Sequence, residues 1–226
     1  MAEQNYGNLK PILLAVDCII FGFNENQLEL LLIHRGLKPK KGKWSLMGGF
    51  VEEEEDIDEA ASRVLKQLTG LNDIYMEQVS TFGKVHRDPG GRVVSVAYYA
   101  LIHKEFYDLE LIKKHHAQWF PLNNLPELIF DHKEMAKQAL QKLRRKVKTE
   151  PIGFNLLPEK FTLPMLQALY EAILGEKLDK RNFRKKIAAI DVLVKLKEKD
   201  HNSSKKGAFL YQFDKERYDQ STVFSL

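Results

Sequence analysis

Cysteine is almost absent from this chain: its 226 residues include a single one, Cys18, so no internal disulfide can form. Disulfides accumulate in oxidising compartments, and a chain without them is typical of the reducing cytoplasm. The sequence also lacks an apolar run near the ~20 residues that a membrane-spanning helix needs, and its start, MAEQNYGNLK, does not resemble a secretory signal. These absences predict a cytoplasmic protein without a membrane segment. Cys18 lies in the apolar stretch ILLAVDCII, which predicts a buried structural thiol rather than a nucleophile.

A large excess of charge of one sign is missing as well. The formal net charge is +4, which by itself does not indicate a nucleic-acid partner, although the basic residues are concentrated late in the chain. The length exceeds that of one ordinary domain of roughly 100–150 residues, and 44% hydrophobic and 29% charged residues are typical of soluble globular domains. A long basic helical pattern ends just before Pro151, where the pattern changes. We therefore expect two domains, residues 1–149 and 150–226.

Strand and helix signals alternate through the first of these regions, which predicts a mixed α/β domain. An amphipathic segment over residues 57–71, with a glycine near its end, predicts a helix. A second helix is predicted over residues 131–147, with Asp131 as a candidate N-cap. The predicted strands are residues 11–23, 27–35, 79–85, 92–102 and 117–122.

Six residues keep a fixed spacing within GGFVEEEEDIDEAASRVLKQLTGL, residues 48–71. This spacing resembles the Nudix box, and the flanking segments Trp44–Gly49 and Gln118–Leu122 also resemble Nudix proteins. The resemblance covers residues 1–149 and implies an α/β (α+β) Nudix fold, with a mixed sheet between helices. It also implies that Glu55 and Arg63 brace the box loop against the helix. The matching residues are Gly49, Glu55, Arg63, Leu65, Gly70 and Leu71.

The residues that would perform the chemistry of this family are missing. Nudix hydrolases need three carboxylates at positions i, i+3 and i+4 of the box helix, where they share one face and hold Mg²⁺. Those positions here are Val64, Gln67 and Leu68. We therefore expect no enzyme activity, no catalytic residue, no bound metal and no cofactor. The acidic run Glu52–Glu55 could supply metal ligands instead, but acids entering a helix more often complement its dipole.

A cleft without metal can still bind a small molecule. Arginines can pair with phosphates, and histidine or aromatic side chains can stack on a ring or bind a sugar. Each candidate also has an ordinary alternative, since Tyr98 suits a core position and a loop arginine is usually a solvated surface residue. His115 and His116 are interpreted as surface residues. The candidate effector-binding residues are Arg35, Glu52, His86, Arg87, Arg92, Tyr98 and Trp119.

The second region has the pattern of a winged helix-turn-helix. One helix is predicted over residues 162–175, and a second begins at the cap residue Asp179 and continues to Ile190. A hairpin follows, with strands over residues 192–199 and 208–213. A basic helix after a tight turn, followed by a basic hairpin, is the plan of a domain whose second helix enters the major groove.

The basic residues of this region are candidates for DNA contacts. Arginine favours guanine and asparagine favours adenine, whereas lysines on the wing would contact phosphates. The alternative is that the basic face is merely solvated, as most charged runs are. The candidate DNA-binding residues are Lys180, Arg181, Asn182, Arg184, Lys185, Lys205 and Lys206.

Residues 151–186, PIGFNLLPEKFTLPMLQALYEAILGEKLDKRNFRKK, resemble the C-terminal domain of Nudix-related transcriptional regulators. The resemblance implies a homodimer that binds a double-stranded DNA operator and responds to a sugar-type effector, either ADP-ribose or a free pentose such as L-arabinose. The missing metal site slightly favours the free sugar. Two alternatives stay open: a Nudix hydrolase of ADP-ribose or another nucleoside diphosphate compound, and a sugar-nucleotide sensor that binds RNA or protein. The tail, residues 218–226, gives no interpretable pattern.

Overall fold

The computed structural model describes residues 9–24, 26–70, 72, 74–104, 113–114, 116–201 and 207–220. In this part of the chain, ten strands form two sheets and five helices pack on them. The strands are β1 (Leu13–Asn24), β2 (Gln27–His34), β3 (Trp44–Ser45), β4 (Met47–Phe50), β5 (Met76–Phe82), β6 (Val93–Leu101), β7 (Gln118–Pro121), β8 (Lys160–Thr162), β9 (Leu193–Asp200) and β10 (Ala208–Phe213). The helices are α1 (Ile57–Thr69), α2 (His132–Thr149), α3 (Leu163–Leu174), α4 (Lys180–Ala189) and α5 (Lys215–Gln220).

The first sheet has the order β3-β2-β1-β6-β5, with β4 also paired to β1 and β7 to β2. Strands β1 and β6 are parallel, and the other pairs are antiparallel. Side chains alternate across β1: Val16, Cys18 and Ile20 pack under α1, whereas Ile19 and Phe21 face the cluster that includes α2. The mixed sheet between helices predicted from the sequence is therefore confirmed.

Cys18 is fully buried in the layer beneath α1, as predicted. Burial raises the pKa of its thiol, and the nearby Asp17 carboxylate raises it further. A thiol held in its protonated form is a poor nucleophile, which agrees with a structural role.

Strand β5 differs from its sequence-based prediction. The prediction placed a strand over residues 79–85, but the strand spans Met76–Phe82 and ends before Gly83. Its register on β6 runs from Met76 opposite Ala100 to Phe82 opposite Ser95, with an irregularity after Gln78. Pairing with β6, rather than local alternation, sets its limits.

The second sheet has the order β8-β10-β9 and adjoins helices α3 and α4. Both predicted helices and both hairpin strands are present within about two residues of their expected limits. The sequence did not predict β8, whose three residues pair with β10. The hairpin tip, including Lys205 and Lys206, lies outside the described residues.

One apolar cluster runs through both sequence regions. It begins on the sheet face beneath α2, continues along the buried side of that helix, and extends between α3 and α4. Representative buried members are Phe21, Leu143, Val147, Leu169 and Phe183. Within the described residues, no helix has the length and hydropathy needed to cross a membrane.

Candidate functional site

A cleft lies where β1 and β4 meet the loop after β2, the loop before β6 and the start of α2. Its volume is about 150 Å³, and Arg35, Arg87, Phe130 and His132 contribute to its lining. Asp17 reaches the same cleft from β1. A charged residue in the middle of an otherwise buried strand needs partners, because an unpaired buried charge is strongly unfavourable.

Arg87 supplies the principal partner. Its side chain is only 3% exposed, and it binds both carboxylate oxygens of Asp131, with Nε to Oδ2 at 2.9 Å and Nη2 to Oδ1 at 2.7 Å. The same Nη2 lies 3.5 Å from Asp17, which also accepts a 2.6 Å hydrogen bond from Ser95. Burial opposes the charge on Arg87, but the bonds and charges of the two aspartates raise its pKa above the usual value. The cation is therefore fixed in place by two carboxylates.

Asp131 precedes α2, as predicted, but its side chain makes no capping hydrogen bond. The carboxylate is directed to Arg87 instead, so the expectation that it caps the helix is corrected. A competing bidentate arginine explains the difference, since such pairs are stronger than a single bond to a backbone N–H.

His132 connects this network to the segment before the Nudix box. Its Nδ1 accepts a 3.0 Å hydrogen bond from the Leu46 N–H, and its Nε2 lies 3.6 Å from an oxygen of Asp17. Burial lowers the pKa of His132 more than Asp17 raises it, so the ring is neutral at neutral pH. An accepting Nδ1 requires the proton on Nε2, facing Asp17.

Arg35 forms another wall of the cleft. Its guanidinium lies 5.1 Å from the centre of the Phe130 ring, and its Nε donates to the carbonyl groups of Leu37 and Pro39 at 3.1 and 2.8 Å. Phe130 has a φ of 50°, in the left-handed region. That backbone costs about 1 kcal/mol or more in a residue other than glycine, and such strain often accompanies functional sites. The strained position presents the ring to both Arg35 and His132.

The structure places only two of the seven candidate effector-binding residues, Arg35 and Arg87, in the cleft lining. Glu52 is exposed and lies 3.4 Å from Arg63, and His86 is exposed on its loop. Arg92 donates to the carbonyl group of Gly83 at 3.0 Å. The other five candidates do not line this cleft, and their assignment to effector binding stays a prediction.

Tyr98 and Trp119 do not line the cleft. Tyr98 packs under α1, where its hydroxyl donates to Asp58, and burial raises its pKa. Trp119 lies against Gly22, with the Lys104 ammonium 5.3 Å from its ring centre. Gly22 is five residues beyond Asp17 on β1, which corresponds to about 16 Å.

The Nudix-box brace is present in the structure. Arg63 donates to both oxygens of Glu55, from Nε at 2.8 Å and from Nη2 at 2.5 Å, and also to the Phe50 carbonyl group at 2.9 Å. The hydrogen bonds from Arg63 lower the pKa of Glu55 to about 2. Gly70 ends α1 with a φ of 74°, in the left-handed region. These residues fix the loop and the helix to each other.

The helix positions of the hydrolase carboxylates have different surroundings here. Val64 is 2% exposed in the apolar layer under α1, and a Cβ at Gly49 would lie 2.9 Å from it. Gln67 is exposed, and the side chain of Leu68 lies outside the described part. Among the described residues, no three acidic, histidine or cysteine side chains are grouped to hold a metal ion.

The second site is the exposed face of α4. Phe183 and Ile187 are buried against the rest of the domain, which leaves the other side of the helix in solvent. Five of the seven candidate DNA-binding residues lie in α4 and are exposed: Lys180, Arg181, Asn182, Arg184 and Lys185. Lys195 and Lys199 on β9 place their ammonium groups 3.7 and 4.8 Å from the centre of the Phe209 ring. These are residues that sequence reasoning did not select.

The turn before α4 is held by α3. Glu171 accepts a 3.1 Å hydrogen bond from the Leu178 N–H and a 2.7 Å bond from Lys177, while Gln167 donates to the Leu178 carbonyl group at 3.0 Å. Asp179 then caps α4 by accepting from the Asn182 N–H at 2.8 Å. The orientation of the basic helix is thus defined by hydrogen bonds within the turn. Glu171 was not anticipated, because its partners lie in the turn.

Family comparisons agree with this architecture. Residues 11–143 match the model of the NUDIX domain, and residues 153–213 match that of the NrtR DNA-binding winged helix domain. The chain is 37% identical over 223 residues to the "ADPR responsive transcriptional repressor NtrR" of Acinetobacter baylyi, covering 97% of this chain and 89% of that protein. It is also 38% identical over 128 residues to the "ADP-ribose pyrophosphatase" of Methanocaldococcus jannaschii, covering 56% of this chain and 72% of that protein.

Two solved structures from Shewanella oneidensis are similar to this one. NrtR in complex with a 27mer DNA has a TM-score of 0.84 at 30% identity, covering 93% of this chain and 97% of that one. The NUDIX domain of NrtR in complex with ADP ribose has a TM-score of 0.53 at 32% identity, covering 63% of this chain and 99% of that one. The chain therefore belongs to the NrtR family of DNA-binding transcriptional regulators, in which a Nudix effector domain is joined to a winged helix domain.

Proposed function

We propose that this protein is an ADP-ribose-responsive repressor whose Nudix cleft binds its effector without hydrolysing it. In this proposal residues 1–149 bind the effector and residues 150–226 bind the operator. The observation that carries it is the burial of Val64 where a Nudix hydrolase presents a carboxylate. The fold and the box brace remain, so the cleft can hold a ligand, but the ion that would activate water has lost its support.

ADP-ribose is preferred over L-arabinose as the effector. The similar repressor from A. baylyi is described as ADPR responsive, and the similar NUDIX domain of S. oneidensis NrtR was solved in complex with ADP ribose. The cleft contains Arg35 and Arg87, cations that can pair with a diphosphate.

The hydrolase alternative has its own support in the pyrophosphatase relative from M. jannaschii. The test is to incubate purified protein with ADP-ribose and Mg²⁺ or Mn²⁺ and to measure AMP by chromatography. We expect no release above the metal-free background. Metal-dependent turnover would refute the proposal, and the Glu55→Gln variant would then show whether the box supports that activity.

On the DNA side, we propose that Arg181, Asn182 and Arg184 contact base edges, while Lys180 and Lys185 contact phosphates. Lys205 and Lys206 remain proposed phosphate contacts of the wing. A homodimer would place two α4 helices in successive major grooves, about 34 Å apart or at multiples of that distance. A protein with this role acts at the chromosome, so we infer a cytoplasmic location.

One set of measurements tests both sites. The operator is first obtained by selection from random duplexes, and its Kd is then measured with and without saturating ADP-ribose, with L-arabinose in parallel. Calorimetry measures ADP-ribose binding to the native protein, to Arg35→Gln and to the control Arg145→Gln, whose arginine is exposed on α2. We expect binding to weaken only in Arg35→Gln. Binding of L-arabinose but not ADP-ribose would refute the assignment of the effector.

A further inference from the structure

Helix α2 extends between the two sites of the molecule. Its start is held by the cleft network, and its C-terminal half contacts the helix that precedes the helix-turn-helix turn. From His132 to Arg144 the helix rises by about 18 Å. We propose that α2 transmits effector binding to the DNA-binding helix and that Arg144 is the positioning residue at its far end. This inference rests on the proposed function.

At the cleft end, α2 is fastened through its first residues. Arg87 binds Asp131 in bidentate fashion at 2.9 and 2.7 Å, and His132 accepts from the Leu46 N–H at 3.0 Å. An anionic ligand group in the cleft would compete with Asp131 for the guanidinium of Arg87. The released Asp131 carboxylate could then accept from the first-turn N–H groups of α2, a cap that it does not provide in this structure.

Between its ends α2 is well supported. Its buried residues Met135, Ala139 and Leu143 pack against the sheet, so the helix should move as one body rather than bend. Lys142 and Lys146 both pair with Glu77 on β5, at 2.9 and 2.6 Å. These two ion pairs hold the side of α2 against β5. A small displacement of the start of α2 can therefore produce a displacement of its C-terminal end.

At the far end, Arg144 donates from Nε to the carbonyl group of Ile173 at 2.7 Å. This carbonyl group belongs to the last turn of α3, where helical partners are missing, so the arginine completes the helix end. The guanidinium also lies close to Gly175, since a Cβ there would be 2.9 Å from Nη2. Gly175 leads into the turn that Glu171 holds and from which α4 begins. A shift of Arg144 therefore acts on the orientation of the basic helix.

The test distinguishes a loss of transmission between the two sites from a loss of ADP-ribose binding. Arg144→Met keeps an apolar stem but loses the donor, and Arg145→Met is the matched control one residue away, with an exposed side chain. For each protein, operator Kd is measured with and without saturating ADP-ribose, and ADP-ribose Kd is measured by calorimetry. In the native protein we expect ADP-ribose to change the operator Kd by about tenfold or more.

In Arg144→Met we expect that change to fall to about twofold or less, while the ADP-ribose Kd stays within about twofold of the native value. Arg145→Met should retain the full change. A full effector response in Arg144→Met would overturn the inference while leaving the proposed function intact. If the native protein binds no ADP-ribose, the proposed function itself is refuted.

A measurement on the native protein covers the case in which Arg144→Met does not fold. Amide hydrogen exchange is followed at residues 174–178 with and without ADP-ribose, because this segment includes the turn beside Arg144. A change in protection there supports transmission through α2. Unchanged protection at this segment, with ADP-ribose bound, overturns it.

Discussion

Helix α1 turns Val64, one of its motif positions, into the core against Gly49, whereas α4 leaves Arg181 and Arg184 in solvent. Both helices begin at an aspartate that caps the first turn, so their starts do not explain the difference. The difference comes from where each apolar stripe lies: it includes motif position 64 in α1, but lies opposite the basic residues in α4. Substitutions in α1 should therefore act mainly on stability, and substitutions in α4 mainly on DNA binding.

The largest effect is expected in α4. Replacing Arg181 and Arg184 together by Ala should weaken operator binding by about 30-fold or more, because the two proposed base contacts, of about 1–3 kcal/mol each, are removed. Thermal stability should change little, since both side chains are exposed. The control is Lys66→Ala with Lys137→Ala, which removes the same charge from exposed positions elsewhere. An equal loss in the control, measured by fluorescence anisotropy, would indicate only a general charge effect.

Val64→Glu should destabilise the protein by about 3 kcal/mol, because it places an unpaired carboxylate in an apolar layer. Gln67→Glu, one turn away on the same helix and exposed, should change the free energy of unfolding by less than about 0.5 kcal/mol. Urea unfolding with and without Mg²⁺ measures both. A Val64→Glu protein of native stability that Mg²⁺ stabilises further would show that the metal position is still available.

A smaller difference in stability is expected between substitutions of the glycines that end α1 and α3. Gly70 and Gly175 have φ values of 74° and 77°, so alanine at either should cost about 1 kcal/mol in backbone strain. Gly175→Ala should cost about 1 kcal/mol more, because its Cβ displaces Arg144 and weakens the bond to Ile173. Chemical denaturation at neutral pH gives both values. Equal losses would mean that Arg144 adjusts without losing its hydrogen bond.

The smallest expected effect is on the stability of the protein at acidic pH. The pKa of Glu55 is lowered to about 2 by Arg63, so its contribution to stability is present above its ordinary value near 4.5 and is lost as pH falls toward 2. Glu55→Gln should therefore show a shallower loss of stability than the native protein between pH 4.5 and 2. Glu77→Gln is a comparison, because hydrogen bonds from lysines and tyrosines also lower the pKa of Glu77 to about 2 despite its partial burial. Urea midpoints measured across this range would contradict the prediction if native protein and Glu55→Gln lost stability in parallel.

The sequence was sufficient to predict most of the fold because its signals are local. Helix limits follow from caps such as Asp179 and from glycines such as Gly175, each of which acts within a few residues. Strand β1 was recognisable as a continuous apolar run. The limits of β5 and the presence of β8 depend on pairing with other strands rather than on the local sequence pattern. The predicted limits of β5 were therefore shifted, and β8 was not predicted.

The cleft could be predicted only in part because distant residues assemble it. Arg87 binds Asp131, which is 44 residues away in the sequence, and lies beside Asp17, which is 70 residues away. Asp17 did carry a signal, since a lone carboxylate in a buried strand needs a partner, but the sequence did not identify that partner. Tyr98 was assigned to the cleft although alternation places it on the opposite face from Asp17, and only the register of β6 on β1 makes this visible.

The apolar cluster that crosses from the sheet into the winged helix has a consequence for how the protein melts. Because Leu143 and Val147 belong to the same interior as Leu169 and Phe183, the C-terminal half shares its core with the N-terminal half, which has a second cluster of its own beneath α1. Heating should therefore give a single calorimetric transition, and a fragment containing only the C-terminal half should expose apolar surface and aggregate. Because the two halves unfold together, a ligand bound to either half raises the single melting temperature of the protein.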